Sequence, residues 1–504
     1  MTTAPPASDP RSPEPAAPLV TAAEIRAHLR DSPQPVFYLS RSATNLVGLD
    51  RWVGGFHYVT LSDSWDGAHP RSFTPTNIPA IEPRGNVNVA NWLLGNDQVQ
   101  AYIASRTPAG YRPQIVLAMF DETSERLCAQ LGYDLIMPSV ALRTRLDSKI
   151  VTTQLGDEAG AASVPNLLTT ITGWEDLRAQ AEQAGLGERL VIQLAYGDSG
   201  RTTYFVASKT DFDRIANEIV GPRIKAMRHI EHLPLAAEAV ITRAGTVVGP
   251  VLREITGHPE LTAYRGGWSG SEMYPGLVDD GTRHRIGSLI ERFCGRLAEE
   301  GYRGILEVSI LLDTDTGEVY LGELNPRISG SSAHSNLTPG DTTPPLFAYH
   351  LLEYSGREFS LDLDAIRAER EAALAGQEWS TLVIQYPGPH VDRIVASPGT
   401  GRYRIIDGAA GLVFVDAERD WQGLADGEDA FWFRAIGDGD ICGPGVDAGM
   451  LVIRARAQEE HYALTPLVKR LIPAVQSAYR GERIGTITRY WRAGVRVLRE
   501  KLGR

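Results

Sequence analysis

The sequence predicts a multidomain chain of mixed α/β and α+β class: an α/β unit, then an α+β block, then a mostly β C-terminal part with terminal helices. Three observations predict it. The chain has 504 residues, too many for one hydrophobic core, and about 150 residues per domain gives about three. Apolar residues make up 43% and charged residues 22%, which is ordinary globular composition. The hydrophobic period also changes along the chain, from single strands alternating with helices, to strand pairs alternating with helices, to a run of short strands.

Residues 1–18 carry six prolines with no basic or apolar run, so residues 1–20 are expected to form a disordered tail rather than a signal peptide. A helix from Thr21 to Arg30 follows, with Thr21 as its cap. Apolar runs at Val36–Leu39, Phe56–Leu61, Gln114–Phe120 and Tyr133–Met137 read as strands, and Glu122–Leu131 as a helix. This makes 21–140 a small α/β domain with a largely parallel sheet. From 141 to 355, helices at Trp174–Gln183, Lys209–Ile219 and Thr282–Glu300 alternate with hairpin-like strand pairs. Residues 357–378 read as a connecting helix within a last unit, 356–504. That unit has strands at Leu382–Tyr386, Gly411–Val415, Phe431–Ala435 and Met450–Ala455 before its terminal helices. The basic run at 489–504 reads as a solvated helix face.

Lys plus Arg number 50 and Asp plus Glu 62, a net charge of −12. Broad binding to nucleic acid or to anionic membranes is therefore not expected. No run approaches the ~20 apolar residues of a bilayer span. Cys128, Cys294 and Cys442 are far apart, which excludes a disulfide framework or a cysteine-built zinc site and fits a reducing, cytoplasmic setting.

The most informative segment is Gly304–Leu312, the loop Asp313-Thr-Asp-Thr-Gly317, and Glu318–Arg327. Two apolar runs around a polar loop ending in Gly form a hairpin. Closing the loop on Leu312 and Glu318 sets Glu307 opposite Glu323, with Asn325 on the same face by the strand's period of two. Opposed carboxylates repel, so a counter-charge is expected. Two carboxylates and an amide oxygen suit Mg²⁺, with Mn²⁺ as an alternative. Pro326 ends the strand and sets Arg327 just beyond, where a guanidinium meets an anion.

Glu307, Glu323-Leu-Asn325-Pro-Arg327 and Ile328-Ser-Gly-Ser-Ser332 resemble the metal-binding hairpin of the ATP-grasp superfamily of carboxylate–amine ligases. The resemblance covers roughly residues 130–350, and the α/β segment before it matches the family's pre-ATP-grasp domain. It implies ATP and Mg²⁺ as cofactors, with Glu307, Glu323 and Asn325 on the metal. Arg327, with Arg265, is implied to stabilise an acyl phosphate. Lys149 looks like the first nucleotide lysine. The strands around Gln193, Gly197, Ser199, Gly200 and Thr202 resemble the flexible loop over the ATP phosphates. Many relatives carry Lys where this chain has Gln193, so that charge is either missing or supplied by Arg201, Arg253 or Arg265. Arg228, His229, Ile230 and Glu231 resemble the adenine hinge, with Glu231 or Glu238 on the ribose. Arg253 and Trp268, with Ser331 and Ser332, fall on the substrate side. The order of domains and the Thr256–Trp268 stretch most resemble the pheganomycin-type peptide ligases. The implied reaction joins a small-molecule carboxylate to an amino acid or peptide amine, releasing ADP and phosphate. Family habit implies a homodimer, and the C-terminal part is expected to shape the amine pocket.

Other classes fit less well. Gly197-Asp-Ser-Gly200 resembles a serine-protease nucleophile loop around Ser199, but Arg201 replaces the expected glycine and no matched His segment precedes it. Ser269 lacks the GxSxG spacing, His229-Ile-Glu-His232 lacks the HExxH register, and no Gly-Lys dipeptide exists for a P-loop. A catalytically silent ATP-binding regulatory module is the remaining alternative.

Overall fold

The computed structural model describes residues 17–78, 85–197, 200, 202–264, 266–337, 343–407, 411–425 and 427–484. Its N-terminal unit is a five-stranded, all-parallel sheet. The order is Ser72–Phe73, Phe56–Thr60, Val36–Ser40, Gln114–Leu117 and Asp134–Leu135. All four strands read from the sequence are present. The helix Glu122–Leu131 is as expected, closed by Gly132 in the left-handed region. Thr21 caps Ala22–Asp31 through a capping box with Glu24, the reciprocal pairing that satisfies two orphan amides. The sequence reading missed two helices, Asn86–Gly95 and Asp97–Arg106. Leu19, expected within the tail, is buried and bridges Phe359, because an apolar side chain beside a main-chain edge gains both burial and pairing.

The second unit is a four-stranded antiparallel sheet ordered Asn166–Thr170, Arg223–Arg228, Leu190–Leu194, Thr203–Val206. The predicted helices Trp174–Gln183 and Lys209–Ile219 cover one face of it. Leu177, Ala181, Phe212 and Ile219 pack there on Ile192, Ile224 and Ala226. By the strand period of two, Gln193, Lys225 and Met227 present the other face.

The third element is an 11-stranded antiparallel sheet. Its first half holds Val319–Asn325, Gly304–Asp313, His232–Thr242, Leu252–Thr256 and Trp268–Met273 in spatial order, with Gly245–Val248 beside His232–Thr242. The helix Asp280–Glu299 lays Ile286, Leu289, Ile290, Phe293 and Leu297 on Leu306 and Val308. Each such side chain is worth about 1.5–3 kcal/mol of burial. Glu307, between Leu306 and Val308, therefore points to the opposite face. The sheet runs on past residue 355. Trp379–Gln385 pairs along Trp268–Met273, followed by Asp447–Ile453, Asp429–Arg434, Gly401–Ile405 and Leu412–Asp416. Residues beyond 356 are thus joined to the block before them by main-chain hydrogen bonds. The connecting helix is Leu363–Leu374. The last described helix, Pro466–Ser477, is followed by a strand, Arg480–Arg483, and the basic run lies outside the described residues. No helix among the described residues is long and apolar enough to cross a membrane, and the three cysteines are buried.

Candidate functional site

The carboxylate hairpin forms, with a different register from the one expected. Glu307 faces Asn325, not Glu323, and on its other side it faces Glu238. The shift has two sources: the loop closes on Leu312 and Val319, one residue later than expected, and a bulge between Val308 and Ile310 adds a second, since Gly322 and Glu323 stand against Ser309 alone. The bulge lets Leu321 and Leu324 both reach the core under the helix and leaves Glu323 at the cleft edge. A row of Glu238, Glu307 and Asn325 thus crosses three strands.

Hydrogen bonds lock this row. Asn325 donates from Nδ2 to Glu307 Oε1 at 3.0 Å, and Arg327 donates to Asn325 Oδ1 at 2.8 Å. Ser329 Oγ lies within hydrogen-bond distance of both Glu238 and Glu307, with one proton to give, and Ser332 donates to Glu238. Among the described residues two buried oxygens, Glu238 Oε2 and Ser331 Oγ, have no partner. Burial, and then the Glu307 carboxylate, push Glu238 up to about 8. Glu254 keeps some contact with solvent, yet enclosure by protein and then Glu307 and Glu323 push it up to about 8 as well. Acids held this far from their ordinary value by their neighbours mark a place where negative charge lacks compensation. Among the described residues no three His, Cys, Asp or Glu side chains converge as a ligand set. A hard cation here would be held by Glu307, Glu323 and the Asn325 amide oxygen, with substrate oxygens completing the shell. An all-oxygen donor set and an unpartnered carboxylate oxygen fit Mg²⁺.

The opposite wall carries cations. Lys149, the first residue of the helix Lys149–Glu158, is buried, pairs with Glu323 at 3.0 Å and donates to Gly197 O at 3.1 Å. Gln193, where a lysine was the alternative, stands directly across from Lys225 on the neighbouring strand. Lys225 is 1% exposed, and no acceptor lies within hydrogen-bond or ion-pair distance of its ammonium among the described residues. Burial pulls it down from 10.5 to about 8, against Asp157 and Glu323, which act the other way. The sequence reading missed this residue. The signal was there: a lysine between Ile224 and Ala226, two core-facing residues of one strand.

The loop after Leu194 needs its glycines. Gly200 has φ +72°, and a Cβ at Gly197 would overlap the Thr202 side chain. Gly200 lies against Gly266, so this loop meets the one leading to Trp268. A Cβ at Gly330 would sit 2.4 Å from the Trp268 ring, which brings Trp268 together with Ser331 and Ser332. Ser199, Arg201 and Arg265 lie outside the described residues.

Other expected residues are placed differently. Arg253, expected on the substrate side, is buried and engaged within the fold by Glu272 at 3.3 Å, by Glu459 O at 3.1 Å and by the Tyr462 ring. Glu272 also accepts from the Ala457 and Gln458 amides, so this pair pins the C-terminal segment. Glu238 lies in the carboxylate row, six residues along its strand from His232 and about 20 Å away at ~3.4 Å per residue, too far to share the hinge with Glu231. In the hinge the Glu231 carboxylate is exposed and pairs with Arg189 at 3.2 Å. The His229 amide is bonded to Arg189 O, Arg228 N donates to Pro165 O, and His232 Nδ1 lies 3.2 Å from Ile230 O.

A cleft between a small antiparallel sheet and a larger one, with cations on one wall and carboxylates on the other, is the arrangement of the ATP-grasp fold. No protein-family model matches the chain, and no curated protein matches it. Solved structures do match. Campylobacter jejuni biotin carboxylase, in a β,γ-ATP complex, has a TM-score of 0.60 at 14% identity, over 89% of this chain and 92% of that one. The biotin carboxylase domain of Hydrogenobacter thermophilus 2-oxoglutarate carboxylase, with MgADP, ADP and bicarbonate, has a TM-score of 0.56 at 13% identity, over 90% and 92%. Thermotoga maritima phosphoribosylamine–glycine ligase has a TM-score of 0.54 at 15% identity, over 89% and 97%. These are ATP-grasp enzymes, and this chain shares their fold.

Proposed function

We propose that this chain is an ATP-dependent carboxylate–amine ligase, using ATP with Mg²⁺ and acting on an amino acid or peptide in natural-product biosynthesis. The observation that carries it is the facing of two sets of groups across one cleft. Glu307, Asn325 and Arg327 stand on one wall, and Lys149 and the unpartnered Lys225 on the other. Bound Mg²⁺ would neutralise phosphate charge and orient the γ-phosphate.

The chain's own residues do the rest. Lys149 and Lys225 draw the triphosphate against the small sheet, Lys225 supplying from the neighbouring strand the charge that Gln193 lacks. The substrate carboxylate then attacks the γ-phosphorus, and ADP leaves. Arg327, held by Asn325, steadies the resulting acyl phosphate. The amine attacks its acyl carbon, giving an amide and releasing phosphate. Closure of the 197–203 loop on the Gly266 side keeps water from that intermediate. Hinge contacts to adenine through Ile230, with Glu231 near the ribose, belong to the same reading. So does an amine pocket shaped by the C-terminal segment.

The test is ADP release by the purified chain with Mg·ATP against pools of acids, amino acids and short peptides, with mass spectrometry of the products. ADP together with a condensed mass, lighter by one water, is the expected result. Nucleotide binding with no turnover against any pool would favour the regulatory module, and no nucleotide binding would refute the proposal.

A further inference from the structure

A cavity of about 640 Å³ opens between the N-terminal half of the helix Asp280–Glu299 and the helix Leu363–Leu374. This lies in the range of small-molecule pockets, roughly 300–1,000 Å³. None of its lining residues belongs to the carboxylate row, the lysine wall, the hinge or the loop. The helix Asp280–Glu299 covers the sheet face of Leu306 and Val308, the one turned away from Glu307. The cavity is therefore separate from the cleft described above.

Its lining includes a buried arginine. Arg370 is 5% exposed and donates from Nη1 to Pro344 O at 2.8 Å. Among the described residues its Nε has no partner and no acid lies within ion-pair distance of it, Glu369 acting on it only from further away. Arg367, on the preceding turn, is matched by Glu291. A guanidinium stays protonated at any ordinary pH, and a buried ion without a partner is strongly disfavoured unless something binds it. The remaining walls are largely apolar, with Tyr274, Leu277, Ile286 and Leu374 among them, and the charged or titratable residues Asp280, Arg283, His284 and Glu371 also line the space. The apolar walls favour a ligand with a hydrocarbon body over a bare inorganic anion.

We propose that this cavity is a second binding site, distinct from the catalytic cleft, which takes a small monocarboxylate with an apolar body and pairs it with Arg370. Calorimetric titration of the full chain with 3-phenylpropionate and with hexanoate tests it, with and without Mg²⁺ and a non-hydrolysable ATP analogue. One saturable event of similar affinity in both conditions is expected, with inorganic phosphate binding more weakly. Arg370→Gln should weaken binding by about tenfold or more, the loss of a charge-assisted contact. Leu374→Trp keeps Arg370 but fills the space, and should abolish binding. Photolabelling of the unmodified chain with 4-benzoylphenylacetate should mark peptides within 273–291 or 363–377. Failure of both probes to bind at millimolar concentration, displacement by the nucleotide, unchanged binding in Arg370→Gln, or label confined to other peptides would each overturn the assignment.

Discussion

Replacing Lys225 by Met separates what this lysine does for folding from what it does for nucleotide binding. In the folded chain Lys225 is 1% exposed, its ammonium has no acceptor among the described residues, and its pKa falls from 10.5 to about 8, with desolvation the leading cause. The fall corresponds to about 3 kcal/mol of folding free energy lost at neutral pH. The sign follows from proton counting. Between about pH 8 and 10.5 the unfolded chain holds a proton that the folded chain has shed, so stability rises with pH across that window. Lys225→Met, similar in length and uncharged, should therefore raise the urea midpoint at pH 7 and remove the alkaline rise. Binding should move the other way. Losing a charge-assisted contact costs about 1.5–3 kcal/mol, so the Kd for an ATP analogue with Mg²⁺ should rise about ten- to hundredfold. Titration calorimetry at pH 7 reads the affinity, and urea melts at pH 7 and pH 10 read the stability. A variant that binds the analogue within about twofold of the parent would refute the nucleotide role, since even one lost charged contact exceeds that change. A variant less stable than its parent would refute the account of an uncompensated buried charge.

Three further outcomes follow from the same geometry. Glu323→Ala should abolish product formation with near-native circular dichroism, because Lys149 still donates to the Gly197 carbonyl; most of the activity surviving would remove Glu323 from the metal set. Arg253→Met should lower the unfolding midpoint, since breaking a buried pair costs about 3–5 kcal/mol; a pure rise in substrate KM with unchanged stability would return Arg253 to the substrate side. Gly330→Ala should displace the Trp268 ring, with which its Cβ collides, and shift the tryptophan emission; an unchanged spectrum and unchanged substrate KM would mean that Trp268 and the Ser331 loop do not act as a unit.

The parts of the site that were legible in the sequence are those set by local pattern. The hairpin at 304–327, the helices at 174–183 and 209–219 and the parallel strands of the first unit each follow from a short-range period and a turn signal. What the pattern cannot carry is register across a bulge. Alternation from a Leu312–Glu318 closure predicts Glu307 against Glu323, but the loop closes one residue later, on Val319, and the bulge that packs Leu321 and Leu324 together under the helix inserts one more, which moves Asn325 into the facing position. The same limit hid the lysine wall. Gln193 reads as a lost charge while only its own strand is considered. The neighbouring strand is more than 20 residues away in sequence, and only its antiparallel register sets Lys225 against Gln193. Arg253 is the converse case: resemblance to a substrate-side strand implies a substrate contact, yet its partner Glu272 lies on the adjoining strand and its acceptor at Glu459 in the last third of the chain. A charged residue in a strand is thus assigned to chemistry or to structure by what stands across from it. Among the described residues no partner stands within reach of Lys225, and three stand at Arg253.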